Sequence, residues 1–306
     1  MTWGVLIMAY GTASGLDDVR RYYTHIRHGR SPSTTQLDNL VARYEAIGGV
    51  SPLAEITART SRGLQAELDA RYGRARFRVY QGMKHSPPFI AEAVHEMAAD
   101  GIERAVAIVL APHFSSMSVG SYLDEAAKTV AEVGRPLKIF GVRSWAAHPG
   151  YITLLKDRIE QTRERFSLKE RVNLPIIFTA HSLPQKILRE NDPYPNELRL
   201  TGDLVAQELG TIDYTFCWQS AGRTEEAWLE PDIIDKLTMM KRDGFSQALI
   251  CPAGFVSDHL EVLYDLDIQA KEHARSIGMH IERTPSFNDD PAFVRVLADV
   301  IEVEAR

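Results

Sequence analysis

Ile176-Ile177-Phe178-Thr179-Ala180-His181-Ser182-Leu183-Pro184 is the stretch on which the fold turns. An apolar and β-branched run of strand length is followed at once by a histidine, a serine and a proline. A short run with no polar alternation reads as a strand buried on both faces. Such strands belong to parallel sheets covered by helices on either side. The segment Val5-Leu6-Ile7-Met8-Ala9-Tyr10-Gly11 repeats the pattern near the N-terminus. Tyr10 then stands where His181 stands, just past a strand.

The same two signals alternate along the whole chain. Val5–Ala9, Phe77–Gln81, Val106–Ala111 and Leu137–Val142 read as buried strands, and so do Ile176–Ala180, Tyr214–Trp218, Ala248–Pro252 and Met279–Glu282. Helical patterns lie between them, at Phe89–Ala99, Tyr151–Arg165, Glu197–Leu209 and Leu260–Ala274. Strand–helix alternation predicts an α/β fold. Two sets of four strands predict two Rossmann-like domains, each a four-stranded parallel sheet flanked by helices, with a cleft between them. The first domain is expected over 1–142 and the second over 143–306, with the last helix packing back on the first domain. A later pair of strand ends strengthens the internal match: Pro112 precedes Phe114 much as Pro252 precedes Phe255. The halves differ at about 16–73, read as a helical insertion carrying Arg20-Arg21-Tyr22-Tyr23, Arg27-His28-Gly29-Arg30 and Arg43-Tyr44. In open α/β sheets ligands bind beyond the carboxyl ends of the strands, which directs attention to Tyr10, His181 and the insertion beside them.

Composition narrows the function. The formal net charge of -6 over 306 residues lacks the basic excess of a nucleic-acid binder. Two cysteines, Cys217 and Cys251, form no C-x-x-C and suggest neither a disulfide framework nor a cysteine-held cluster. No apolar run approaches the ~20 residues of a membrane span, and the N-terminus lacks the layout of a signal peptide. A cytoplasmic chain with no transmembrane segment is expected.

No G-x-G-x-x-G follows a strand and no G-x-x-x-x-G-K occurs, which argues against dinucleotide or ATP chemistry. His181 offers a proton acceptor or metal ligand, though a strand-end histidine by itself is more often held by backbone. Asp258, Glu261 and Asp265, spaced by three and four, are expected on one helix face with Ser257 or Asp258 as N-cap. Acidic residues at a helix start are ordinary, yet a line of carboxylates also suits a hydrated divalent cation. Oxygen and imidazole ligands are compatible with Fe2+ without selecting it. The arginines of the insertion read either as a solvated face or as partners for an acidic ligand, since the guanidinium fork binds carboxylates in pairs. Trp218 and Trp228 flank the loop Gln219-Ser220-Ala221-Gly222-Arg223-Thr224, and either ring could stack on a flat ligand.

Taken together these pieces resemble the ferrochelatase family. The resemblance is carried by Leu6-Ile7-Met8-Ala9-Tyr10-Gly11-Thr12, Tyr22-Tyr23-Thr24-His25-Ile26-Arg27, Arg43-Tyr44-Glu45-Ala46-Ile47-Gly48-Gly49-Val50-Ser51-Pro52-Leu53, Leu110-Ala111-Pro112-His113-Phe114-Ser115, Ala180-His181-Ser182-Leu183-Pro184 and the run Phe255 to Asp265. It spans nearly the whole chain in order, and is nearest to the monofunctional enzymes of Gram-positive bacteria that act on coproporphyrin III. The resemblance implies a chelatase-like pair of domains clamping a porphyrin, and insertion of Fe2+ as a step of heme biosynthesis. It makes His181 and Glu261 the catalytic pair, with Asp265 further along the metal path and Tyr10 on the opposite porphyrin face, axial to the product iron. It maps propionate contacts to Arg27, Arg43, Tyr44, Ser51 and Tyr122, and places Lys84, His85 and Trp228 near the cleft. Iron is then a substrate, with no permanently bound cofactor and no iron–sulfur cluster. A monomer, in transient contact with the enzyme that takes its product, is expected. Two departures stand out: His28 replaces an arginine of the family's Arg-Arg-Gly-Arg run, and Gln269 replaces the outer glutamate of the acidic line. The alternatives are a protoporphyrin IX ferrochelatase, a cobalt or nickel chelatase, and a carrier that needs Tyr10 but not the His181–Glu261 pair.

Overall fold

The computed structural model describes residues 2–210, 213–222 and 226–305. Its eight strands fall into two parallel sheets. In the first, β1 (Trp3–Ala9), β2 (Phe77–Met83), β3 (Arg104–Val109) and β4 (Lys138–Gly141) lie in the order β2-β1-β3-β4. In the second, β5 (Ile176–His181), β6 (Tyr214–Gln219), β7 (Gln247–Cys251) and β8 (His280–Arg283) lie in the order β6-β5-β7-β8. The two orders are the same, with β5 in the place of β1. All seven residues of β1 are buried, and so are the first five of β5, as a strand flanked by neighbours and covered on both faces requires.

The region at 16–73 is not wholly an insertion. Helices Val19–Ile26 and Thr34–Ala46 are additional, but Leu53–Tyr72 is the crossover from β1 to β2. Parallel neighbours cannot be joined by a tight turn, so some such helix is obligatory. Its Leu64 and Leu68 are fully buried in the core that holds Val5, Ile7 and Phe77. That core runs on through Trp145, Tyr151 and Phe293 into the second sheet, so the halves share one apolar interior. The last helix, Pro291–Glu304, packs on Leu53–Tyr72, where Arg71 pairs with Asp299 at 2.5 Å.

Two glycines shape the strand ends. Gly11 has φ +91° and would place a Cβ 2.5 Å from Ser86 Oγ. A Cβ on Gly254 would lie 2.5 Å from that of Ala180, so the loop after β7 passes directly beneath His181. The predicted helix over Leu260–Ala274 has three parts. An α-turn, Leu260–Tyr264, gives way to a π-turn, Asp265–Ala270, and α-geometry resumes over Lys271–Ser276. One extra residue per turn at the π segment re-aims its side chains, a distortion common at functional sites. Among the described residues no helix is long and apolar enough to cross a membrane.

Candidate active site

His181 is the last residue of β5 and Glu261 lies in the first turn of the helix after β7. Nε2 of His181 stands 3.4 Å from Oε1 of Glu261, with both side chains about one-third exposed, at 33% and 32%. On its other side the ring contacts the carbonyl of Ser182 through Nδ1. His259 completes the pair from the opposite flank: its Nε2 is 3.5 Å from Oε2 of Glu261, while its Nδ1 donates to the Ser257 carbonyl at 2.9 Å. Glu261 thus lies between two imidazoles. Burial works against its charge, but His181 and His259 more than offset this and hold the carboxyl well below its usual range. Burial also disfavours a charged His181, and again the neighbouring Glu261 carboxylate prevails, so His181 holds its proton above the ordinary 6.5. The predicted pair is assembled, and His259, within the run Phe255 to Asp265, joins it; a histidine two residues before Glu261 is the sequence signal for that contact.

The expected acidic line is only partly formed. Asp258 precedes the helix and faces away, accepting from Asn288 at 3.0 Å, Ser286 at 2.8 Å and Arg283 at 3.1 Å. Neither Ser257 nor Asp258 caps the helix; the N-cap position is His259, in extended backbone and without a side-chain cap bond. Asp265 opens the π-turn and is nearly buried. Its Oδ2 accepts from Ser220 at 2.5 Å and its Oδ1 lies 3.5 Å from Nη1 of Arg43. Burial pushes its pKa up to about 6, the Ser220 bond and Arg43 opposing and Glu261 adding to the rise. Gln269 is exposed on the same π-turn. Among the described residues no three His, Cys, Asp or Glu side chains form a metal-binding group. Of the expected metal set, His181 and Glu261 lie side by side at 3.4 Å.

The first half supplies the other wall. Tyr10 follows β1 and is 43% exposed. Its ring meets the His85 ring edge-on at 4.6 Å, and its carbonyl accepts the His85 amide at 2.9 Å. The surrounding protein raises the Tyr10 phenol above its ordinary value, and the charge of Glu261 raises it further. His85 is buried, with Nδ1 3.0 Å from Nδ1 of His25. Burial, then Lys84, lower its pKa to about 3. Lys84 bonds Ser121 and lies 4.5 Å over the ring of buried Tyr122. Arg27 stands at the end of its helix, its guanidinium over Tyr23 at 5.7 Å, and exposed His28 beside it adopts φ +53°. Trp228 lies 6.5 Å from the His181 ring, opposite Phe255 at 6.4 Å. Trp218 is buried beneath Tyr194 and faces no cleft. Arg223 and Thr224 of the loop between the tryptophans lie outside the described residues.

Three residues expected to meet propionates also have partners within the protein. Tyr44 is 1% exposed, its hydroxyl sharing a 2.8 Å bond with Thr12 Oγ1 and accepting from the Ala13 amide. Ser51 is buried, and its hydroxyl accepts from the Leu53 amide at 3.5 Å. Arg43 spans the halves, between the Asp265 carboxylate and the Tyr264 ring at 5.0 Å. In this structure Tyr44 and Ser51 brace the cleft floor, and Arg43 ties the floor to the π-turn.

The family model described as Ferrochelatase matches residues 2–305. This chain belongs to the ferrochelatase family. Among similar proteins, "Coproporphyrin III ferrochelatase" of Anoxybacillus flavithermus is 47% identical over 97% of this chain and 95% of its own length. The protein of that name from Geobacillus thermodenitrificans is 44% identical over 98% and 95%. SirB from Bacillus subtilis with Fe3+, a solved structure, covers 100% of this ferrochelatase and 96% of its own chain at a TM-score of 0.61. Its 9% identity makes that a likeness of fold alone.

Proposed function

We propose that this ferrochelatase inserts Fe2+ into coproporphyrin III, yielding the iron porphyrin and two protons in a step of heme biosynthesis. The observation that carries the reading is the His181–Glu261 pair at the carboxyl edge of β5, 3.4 Å apart. Relatives named for this substrate, at more than 40% identity over nearly the whole chain, support the choice of porphyrin.

The chemistry needs a base. Both pyrrole N–H protons must leave as iron enters, and neutral His181 accepts them one at a time, releasing the first to solvent before it takes the second. Glu261, ionised across the working pH range, orients the ring and steadies the imidazolium formed each time. The paired His259 keeps the carboxylate from swinging away. Asp265, with its pKa near 6, changes charge under mild conditions and takes its place along the approach of the hydrated cation. Tyr10 meets the opposite face and becomes axial to the product iron, its phenol releasing a proton only when the iron's charge compensates. Phe255 and Trp228 border the ring plane. Lys84, Arg27 and His85 face the substrate periphery, and Tyr44, Ser51 and Tyr122 hold the wall behind it. Peripheral binding energy offsets the buckling that a flat macrocycle needs to present its nitrogens.

Iron is the substrate here, and no permanent cofactor is needed. We place the enzyme in the cytoplasm as a monomer, in transient contact with whatever enzyme consumes its product. Anaerobic incubation with Fe2+ and coproporphyrin III, followed through the Soret and visible bands, tests the reading. Faster turnover with protoporphyrin IX, or porphyrin binding without insertion, would overturn it.

A further inference from the structure

His181 is held from behind by a residue that does not face the cleft. The Tyr194 hydroxyl donates to the His181 carbonyl at 2.9 Å, and its buried ring stacks on Trp218 at 5.5 Å. The support matters because β5 is losing its ladder here. Pairing with β7 ends at Phe178, and pairing with β6 ends at His181 itself. Beyond that point the Ser182 amide still donates to the Gln219 carbonyl at 2.7 Å, and the Tyr194 hydroxyl adds a bond on the His181 carbonyl itself.

Tyr194 is in turn tied to the other half of the molecule. Its amide donates to Oδ1 of Asp192 at 3.1 Å. Oδ2 of Asp192 accepts from Ser115 Oγ at 3.0 Å, the Ser116 amide at 2.8 Å and Ser116 Oγ at 2.9 Å. Both carboxylate oxygens are used, and Asp192 is buried. Ser115 and Ser116 belong to the first half and lead directly into Ser121 and Tyr122, the wall against which Lys84 lies. Glu197, one turn further on, repeats the clasp by accepting from the Phe114 amide and Ser144, each at 2.7 Å. These bonds are screened little by water, so they transmit position well.

We propose that Asp192 and Tyr194 form a strut that sets His181 at its working distance from the first half's wall, which makes them positioning residues for metal insertion. The inference rests on the reading of His181 as proton acceptor. A displacement of about 1 Å at a reacting group can cost on the order of 100-fold, and a strut of two buried residues is what prevents it here.

The test is Tyr194→Phe, which keeps the stacked ring and removes the hydroxyl. Steady-state insertion of Fe2+ into coproporphyrin III should show kcat lowered roughly five- to fiftyfold, with the porphyrin KM within about twofold. Tyr214→Phe, which deletes an exposed hydroxyl bonded to Asp203 at 2.8 Å, should leave both parameters unchanged. Asp192→Asn should give the same split, and the double variant should lose little more than the worse single one, since both act through one strut. An unchanged kcat in Tyr194→Phe, a loss confined to KM, or fully additive losses would each overturn the proposal. If Tyr194→Phe does not fold, Ser116→Ala, which shortens the strut at its far end, must reproduce the kcat loss or the proposal falls. A wild-type enzyme that bound coproporphyrin III yet inserted no iron would sink the functional reading instead.

Discussion

Both sheets run in the same strand order, yet the two cleft walls have opposite chemistry. The first half presents Tyr10, His85, Lys84 and Arg27, a wall with no carboxylate among them. The second presents His181, His259, Glu261 and Asp265, a wall rich in acid. The contrast is sharpest between two histidines near strand ends. His85 is buried beside Lys84 and His25, and its pKa falls to about 3. His181 is one-third exposed, burial still works against its charge, and Glu261 at 3.4 Å turns the balance and raises it above 6.5. A repeated fold supplies equivalent places, and the neighbouring charge decides what each does. One wall suits an anionic macrocycle, the other a cation and the protons it displaces.

The deepest cut into this contrast is His181→Ala. It should lower insertion by about 10²–10⁴-fold while porphyrin binding, followed by fluorescence quenching, persists through the other wall. A loss smaller than tenfold would show that the acidic wall does not house the base.

Glu261→Gln should cost roughly tenfold or more and make the two histidines more alike. His181 must be neutral to accept a proton, so a pKa above 6.5 places the acid limb of the rate profile above that pH. Removing the carboxylate removes what holds the pKa up, and the acid limb should move to lower pH. Histidine NMR titration gives the direct comparison: in the wild type His181 should gain its proton as pH falls through its raised pKa, and His85 only near pH 3. An unmoved acid limb in Glu261→Gln would dissolve the contrast.

The cationic wall is tested by substrate choice. We expect kcat/KM for coproporphyrin III, with four propionates, to exceed that for protoporphyrin IX, with two, by about tenfold at low salt. A charge-assisted hydrogen bond contributes ~1.5–3 kcal/mol, discounted where the group stays solvated. Added salt should shrink the ratio, and so should Arg27→Ala. Equal values for both porphyrins would leave the wall without a role in selection.

Tyr10→Phe should have the mildest kinetic effect, a slowing of a few-fold, well below that of a lost base. It should still change the spectrum of bound ferric product, because the phenolate ligand is gone. An unchanged spectrum would take Tyr10 out of contact with the iron.

By itself the sequence determined the strands, because a strand buried on both faces must be short and apolar throughout. All eight predicted runs are strands, to within two residues at the ends. It also marked His181 and Tyr10, since a polar residue just past such a run stands at the sheet's carboxyl edge. What tertiary structure alone decided is which polar groups remain free to act. Asp258 is the right residue type in the right segment, but Asn288, Ser286 and Arg283 engage it. Sequence spacing of three and four put Asp258, Glu261 and Asp265 on one face by assuming one regular helix from Asp258 onward. The helix in fact starts at Leu260 and turns to π-geometry at Asp265. The strut through Asp192 and Tyr194 joins segments about 77 residues apart. No local pattern carries such a bond, because its partners meet only when the two halves pack on their common core.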